Sequence, residues 1–389
     1  MKYILHIFFY LLLLPSISSF TGGSGTSSDP YNITSCNQLQ NMSSNLTAHY
    51  QLSSNIDCDI SPYNTGAGFV PIGFCNDFSP CPSDDAFMGS LEGNNFTIYG
   101  LYINNNSKSS VGLFGATYYA NISNIRLENI NILANYSVGG IVGYNHYGYI
   151  ENIFTQGSLS GGNHVGGLIG TTFYSSIDNS ISNSIISAEN YIGGLVGSHG
   201  SRHGFIGGTI NNSYSRGSVS GNFSVGGLIG YNVGFSTVLN SYSTSDVVGI
   251  NNTGGLVGIN DYSGEIRNSF STGDVSGGVS GSFIGENRNF STVVNSYVFN
   301  SSQNPILTIG YDMNGSTLVN AQTDISYFYN DTNQPFNGIW NPSIWSFSGN
   351  SLPELVSNRI NSNSATSAAS LFPHTSIFLP LLLIVWYFI

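Results

Sequence analysis

Cleaving a polysaccharide calls for two carboxylates held a few ångströms apart, or for a carboxylate cluster that holds Ca²⁺ beside a basic group. This chain of 389 residues is poor in acids between Val111 and Arg288. Glu151 and Asp178 alone have a suggestive spacing: each is the middle residue of an aliphatic-x-Asn triplet, 27 residues apart, and Arg267 takes the same place further along. If each such interval is one coil of a stack, the two carboxylates stand about one strand spacing apart. Solvent-facing residues on one side of a rod are the simpler reading, so no residue is expected to be catalytic. His199 and His203 lie four apart in Ser198-His-Gly-Ser-Arg-His203, but a glycine-rich loop does not hold two imidazoles on one metal as a helix would. Asp57, Asp59, Asp77, Asp84 and Asp85 make the N-terminal region acidic without the spacing of a calcium loop, and no GxxxxGK[ST] phosphate loop occurs. Neither a metal nor a cofactor is expected.

What must position these groups is a repeat. VGLFG (Val111–Gly115), VGGIVG (Val138–Gly143), VGGLIG (Val165–Gly170), IGGLVG (Ile192–Gly197), VGGLIG (Val225–Gly230) and TGGLVG (Thr253–Gly258) follow one another, with a degraded GSFIG ending at Gly285. The closing glycines are spaced by 28, 27, 27, 33, 28 and 27 residues, so one unit recurs with a single insertion near Ser198–Gly208. In step with it runs the aliphatic-x-Asn triplet, ending at Asn124, Asn152, Asn179, Asn212, Asn240, Asn268 and Asn295. Bulky residues follow two places later: Phe154, Ile181, Tyr214, Tyr242, Phe270 and Tyr297.

The apolar runs are short, rich in Val, Ile, Tyr and Phe, and broken by Gly or Asn, which favours strands over helices. About three short strands and three turns then make one coil. Stacking coils at ~4.8 Å sets identical residues above one another, so the asparagines can form a hydrogen-bonded ladder and the rings can stack. Paired glycines allow φ > 0 or close backbone approach at a corner. The fold expected is all-β: a parallel β-solenoid of about seven coils of 27–33 residues, behind a disulfide-bearing N-terminal cap. A β-propeller blade needs about 40–45 residues, which excludes that rival.

Composition sets the compartment. Only 7% of residues are charged while 13% are aromatic, so the chain has apolar surface to bury and a polar, uncharged exterior. The net charge of −12, with eight scattered Lys and Arg, excludes a nucleic-acid partner. Lys2, the apolar run Ile4–Leu14 and the small residues Ser16–Ser19 read as a signal peptide. Cys36, Cys58, Cys75 and Cys81 fit an oxidising compartment. Three pairings are possible, and Cys36–Cys58 with Cys75–Cys81 is the one expected. The stretch from Cys36 to Leu46 reads as a helical turn over the end of the stack.

At the other end, a Ser/Asn-rich stretch precedes the apolar run Ile377–Ile389, the pattern of a glycolipid-anchor signal with Asn363 as attachment residue and Ser362 or Ser364 as alternatives. A single-pass C-terminal helix is the alternative. Of fourteen Asn-x-Ser/Thr sequons, Asn32, Asn95, Asn121, Asn135, Asn211, Asn222, Asn251, Asn289 and Asn314 are candidates for N-glycosylation, and Asn211 is expected to face outward beside the ladder. The order is a signal peptide (1–19), an N-terminal cap region (20–104), repeats (105–300), a C-terminal capping region (301–357), an anchor-signal spacer (358–376) and an apolar tail (377–389).

The GG[LI][VI]G copies, Tyr50-Gln-Leu with Asn55-Ile-Asp-Cys58, Phe87-Met-Gly-Ser-Leu-Glu-Gly-Asn-Asn-Phe-Thr-Ile98 and Trp345-Ser-Phe-Ser-Gly-Asn-Ser-Leu-Pro-Glu-Leu355 resemble GLUG-motif proteins over about residues 50–355. That resemblance implies a β-helical fold, surface exposure and an adhesin-like binding or scaffold role. Some members carry a peptidase domain with HExxH; this sequence lacks that motif, which removes the proteolytic reading. The expectation is a structural or adhesive protein on the outer face of a plasma membrane, presenting its solenoid to extracellular carbohydrate or a surface protein. The alternative is a polysaccharide lyase or hydrolase using acids on one face.

Overall fold

A computed structural model describes residues 20–74, 85–200, 207–299, 307–313, 319–330, 332–333, 338–347, 349 and 351–356. The chain winds into a stack of parallel β-coils. One coil runs through strand Asn163–Gly166, a glycine bend, strand Ile169–Phe173, a corner, Ser176–Asp178, a second corner at Asn179, and Ile181–Ser187 before the next coil opens at Asn190–Gly193. Pairing from coil to coil is parallel and in register: Ile169 lies between Val142 and Val196, and Ile177 between Ile150 and Ile210.

Alternation puts one aliphatic of each strand inside. Val165, Leu168, Ile177 and Ile186 of one coil sit above Val138, Ile141, Ile150 and Leu159 of the coil before, all buried in one continuous core. Such columns are what a parallel stack requires, since each position meets its own equivalent.

The regular coils turn three times through left-handed backbone, at Tyr147, Asn152 and His164 or at Tyr174, Asn179 and Tyr191, with φ of 47–64° at such corners along the stack, and none of these corners is one of the motif glycines. Asn and, at the other two corners, Tyr, Phe, Ser, His and Asn take them. The glycine role expected from φ > 0 is therefore replaced by the other role expected, close approach. A Cβ on Gly140 would stand 2.6 Å from the Gly167 carbonyl oxygen, and one on Gly167 2.5 Å from that of Gly194. The closing glycine of each motif lies instead against the opening leg of the coil before: a Cβ on Gly197 would stand 2.6 Å from the His164 carbonyl carbon. The motif bends the sheet so sharply that its two legs touch backbone to backbone.

The sheet continues without interruption on the N-terminal side of position 105. Tyr31–Ile33 pairs with His49–Leu52, which pairs with Ser90–Glu92, which pairs with the start of Asn121–Ala134. Helix Cys36–Asn41, capped by the Ser35 side chain, and the 3₁₀ turn Met42–Ser44 close this end with Leu39 and Met42 in the core. A disulfide joins Cys36 to Cys58, Cα–Cα 5.3 Å. Cys75 and Cys81 lie outside the described residues. At the far end Leu307–Asp312 and Val319–Gln322 add about an eighth turn. Beyond it the 3₁₀ turn Ile325–Tyr329 and the antiparallel pair Trp345–Ser346 with Glu354–Leu355 fold back along the flank of the stack.

Candidate functional site

The seven ladder asparagines all stand at left-handed corners, φ 48–57°. Asn tolerates that conformation better than most residues, because its short amide can bond locally. Asn152 donates to Asn124 Oδ1 at 2.9 Å and Asn268 to Asn240 Oδ1 at 3.3 Å. Glu92 ends the row, accepting from Asn124 Nδ2 at 2.9 and 3.0 Å. In the middle the row changes partners. Asn212 donates to Asp178 Oδ1 at 3.1 Å, and Asn240 donates to Asn211 rather than to Asn212. Asn179 carries the corner without a side-chain bond to either neighbour in the row, and Asn295 is exposed.

Glu151 and Asp178 are register partners on adjacent strands. Burial raises the Asp178 pKa, opposed by its bond from the Asn179 backbone and by the Asn212 and Asn211 amides. The carboxylate is thus a member of the ladder. Burial, with Glu151 accepting the Tyr149 phenol, pushes that phenol up to about 12. Arg267 lies three strands on from Asp178 and binds Glu265, donating from Nε at 2.6 Å, so it does not join the pair. Among the described residues, no three His, Cys, Asp or Glu side chains gather as a metal site.

His199 ends strand Val196–His199 and is wholly buried, not part of a polar surface loop; His203 lies outside the described residues. It belongs to a column that no single residue type marks in the sequence, two residues after each closing glycine: Thr117, Asn145, Thr172, His199, Asn232, Asn260 and Asn287, all 0% exposed. Thr117 donates to Asn145 at 2.7 Å, Asn232 to Asn260 at 2.8 Å and Asn260 to Asn287 at 3.0 Å. The constant offset was visible in the sequence. What hid it was mixed chemistry, Thr, Asn and His sharing one role.

The outer corner four or five residues after the closing glycine is different again. Tyr119, Tyr147, Tyr174, Phe235, Tyr262 and Phe290 occupy it, each with φ between 49° and 64°. An aromatic residue in that conformation costs on the order of 1–2 kcal/mol relative to its usual backbone, and nothing in turn chemistry prefers it there. Tyr119 and Tyr147 stack at 4.7 Å and 5°, Tyr147 and Tyr174 at 5.1 Å and 17°. Tyr119 is 57% exposed and Tyr147 38%. Beside them lie Tyr118, His146 and Phe173, edge-on or stacked, so the first three repeats share an aromatic edge. Tyr149 stands one step further round, exposed and hydrogen-bonded to Glu151.

The sequons divide by geometry. Asn95, Asn121, Asn135, Asn222 and Asn251 are exposed. Asn32 is half-buried and accepts from Gln51 and Ser53. Asn211 stands on the outer face of its strand with its amide tied into the ladder, donating to Asp178 at 3.3 Å and accepting from Asn240 at 3.1 Å. Asn289 donates at 2.6 Å to Asp261, a buried carboxylate that also takes Tyr231 and Arg288. Asn314 and Asn363 lie outside the described residues. No helix among the described residues is long and apolar enough to cross a membrane.

Residues 221–248 and 249–276 match the family model of the GLUG motif. Halomucin of Haloquadratum walsbyi is 35% identical over 148 residues, 36% of this chain and 2% of the relative. A candidate Gly-rich membrane protein of Evansella cellulosilytica is 32% identical over 146 residues, 35% of this chain and 15% of the relative. The chain therefore spans a small part of the curated relatives it matches. Among solved structures, a candidate immunoglobulin A1 protease from Bacteroides ovatus has a TM-score of 0.55 at 20% identity, covering 87% of this chain and 95% of its own. An IgA1 protease has a TM-score of 0.51 at 20% identity, covering 71% of this chain and 22% of its own. At these identities the likeness is one of fold. The matched segments are two consecutive coils of the stack, and the same glycine bend recurs in the coils before them: the chain carries GLUG-motif repeats within a parallel β-solenoid.

Proposed function

We propose that this chain is a cell-surface structural or adhesive protein, held at the outer face of a plasma membrane by a glycolipid on Asn363 and glycosylated on its exposed sequons. It presents the flank of its solenoid to extracellular carbohydrate or to a surface protein and performs no catalysis. The observation that carries this reading is the row of aromatic residues at left-handed corners from Tyr119 to Phe290, all but the half-buried Tyr174 exposed, where turn chemistry favours Gly or Asn. The names of the relatives, a mucin and a membrane protein, are in keeping with a surface setting. Binding of the purified protein to glycan and surface-protein arrays tests it. Retention that falls when Tyr119, Tyr147 and Tyr174 become alanine supports the reading, and retention indifferent to all three sinks it.

Glu151 and Asp178, in register on adjacent strands, sustain a second reading as a polysaccharide-cleaving pair. Release of oligosaccharides, lost in Glu151→Gln and in Asp178→Asn, would establish it over the first. Phospholipase treatment of intact cells tests the anchor separately: release into the medium is expected, and retention would point to a C-terminal helix.

A further inference from the structure

Among the described residues, one stacked aromatic column is covered and another is open. Tyr214, Tyr242 and Phe270 stack at 4.5 Å and 6°, then 4.7 Å and 3°, on the outer face after the asparagine corner. Tyr214, Tyr242, Phe270 and Tyr297 are nonetheless 0–7% exposed, because the chain's own C-terminal segment lies along them. Trp345 meets Tyr242 at 6.0 Å and Phe270 at 5.7 Å; Trp340 meets Phe270 and Tyr297, both at 6.0 Å; Phe328 meets Phe270 at 5.8 Å. The Trp340 indole also donates to the Asn295 carbonyl at 3.1 Å, pinning the segment to the coil.

In a stacked column each ring's faces are taken up by the rings above and below, so only edges and polar tips meet a partner. A pyranose packs on an aromatic face and finds one only at the ends of such a column. An indole or phenyl ring can present its own face to those edges, since aromatic pairs favour tilted and edge-to-face contacts. The C-terminal segment does this at interplanar angles of 39–49° for three of its contacts and 86° for Trp340 on Tyr297, while Trp340 lies closer to parallel with Phe270, the last ring of the stack, at 26°.

Tyr119, Tyr147 and the half-buried Tyr174 form a column of the same kind, stacked at 4.7 and 5.1 Å, with Tyr119 and Tyr147 open to solvent. We infer that this corner docks an aromatic-rich polypeptide segment of a partner protein, laid along the stack as the C-terminal segment is laid on the other column. The inference rests on the reading of the corner as a contact edge and chooses protein over carbohydrate as its ligand. Tyrosine hydroxyls at the ring tips give the backbone of an extended peptide groups to bond.

The test is titration of the full mature protein with a synthetic peptide of residues 338–347, followed by tryptophan emission and by amide exchange to locate the footprint. Saturable binding with protection at Tyr119, Tyr147 and Tyr174 is expected. Affinity should fall at least about tenfold in the triple Tyr→Ala variant, and as much for a peptide bearing Trp340→Ala and Trp345→Ala. If the triple variant loses its circular dichroism, Tyr147→Ala alone is read instead. Equal binding by wild type and variant, or by both peptides, overturns the inference. Glycan binding that needs the three tyrosines, without peptide binding, overturns it too while leaving the contact edge intact. Loss of neither ligand in the variant removes both.

Discussion

Gly258 lies face to face with the carbonyl of Ser224, the residue just before the previous coil's glycine motif: a Cβ on Gly258 would stand 2.6 Å from that carbonyl carbon and 2.8 Å from the Val225 nitrogen. The same relation links Gly197 to His164 and Gly285 to Asn252. Each closing glycine is where the outer leg of one coil touches the inner leg of the coil before it, both of them backbone held in parallel ladders. Neither leg can give way without breaking register across several coils.

Gly258→Ala is therefore expected to destabilise by about 1–3 kcal/mol, the range for overpacking a close-packed site. A urea titration followed by circular dichroism should show the loss as a lower midpoint at an unchanged slope. A midpoint equal to wild type would mean that the contact relaxes at no cost, and the account of the closing glycine would fail.

Asn240 combines the two properties of its corner. Its φ is 48°, its amide donates to Asn211 at 3.1 Å, and its oxygen accepts from Asn268 at 3.3 Å. Asn240→Ala should cost ~2–3 kcal/mol, from about 1 kcal/mol per hydrogen bond and about 1 for alanine in left-handed backbone. Asn240→Gly keeps the hydrogen-bond loss and removes the backbone part, so it should recover about 1 kcal/mol of that. The ordering wild type, Gly, Ala in thermal midpoint is the check; Ala above Gly would show that the corner's conformation contributes nothing.

The stack was legible because one signal repeats seven times: the interval from Asn124 to Asn152 to Asn179 can only be a coil once it keeps step with Gly143, Gly170 and Gly197. The aromatic run from Phe154 to Tyr297 was legible for the same reason. Its cover was not. Trp345 reaches Tyr242 across more than a hundred residues, and a contact made once leaves no period to read. Tyr147 was legible as an exposed aromatic at a coil corner, but not as one ring of a column. Its offset from Gly143 is regular, but a tyrosine at φ 54° contradicts local preference, and stacking on Tyr119 is what sustains it. The ladder's irregular centre follows from Asp178, whose carboxylate accepts where an asparagine would have passed the bond on.

The C-terminal segment should be separable from the stack it lies on. Trp345 is 1% exposed, packed on Trp340 at 4.5 Å as well as on the column. Trp345→Ala removes roughly 3–5 kcal/mol of packing from a segment whose other anchors on the column are Phe328 and Trp340. Limited proteolysis is expected to cut first within 325–356, at protease levels that leave wild type whole, while the β-sheet dichroism of the solenoid persists. Unfolding of the whole chain in parallel with the cut would show the segment and the stack to be one cooperative unit.

His199 gives the stack a dependence on acid. Burial in the polar column pushes its imidazole down to about 4 in the folded chain, against about 6.5 when unfolded. Above pH 6.5 neither state holds the extra proton and the residue is silent. As the pH falls below 6.5 the unfolded chain binds the proton and the folded chain does not, so stability drops until the folded value is passed near 4. The contribution reaches ~2 kcal/mol at pH 5 by that linkage. His199→Asn places in the column the residue found at Asn145, Asn232 and Asn260, and removes the titration. Stability at pH 5 relative to pH 8 should then fall less in the variant, by about that amount, with the carboxylates common to both proteins cancelling in the difference. Parallel pH profiles for the two proteins would place the acid sensitivity elsewhere.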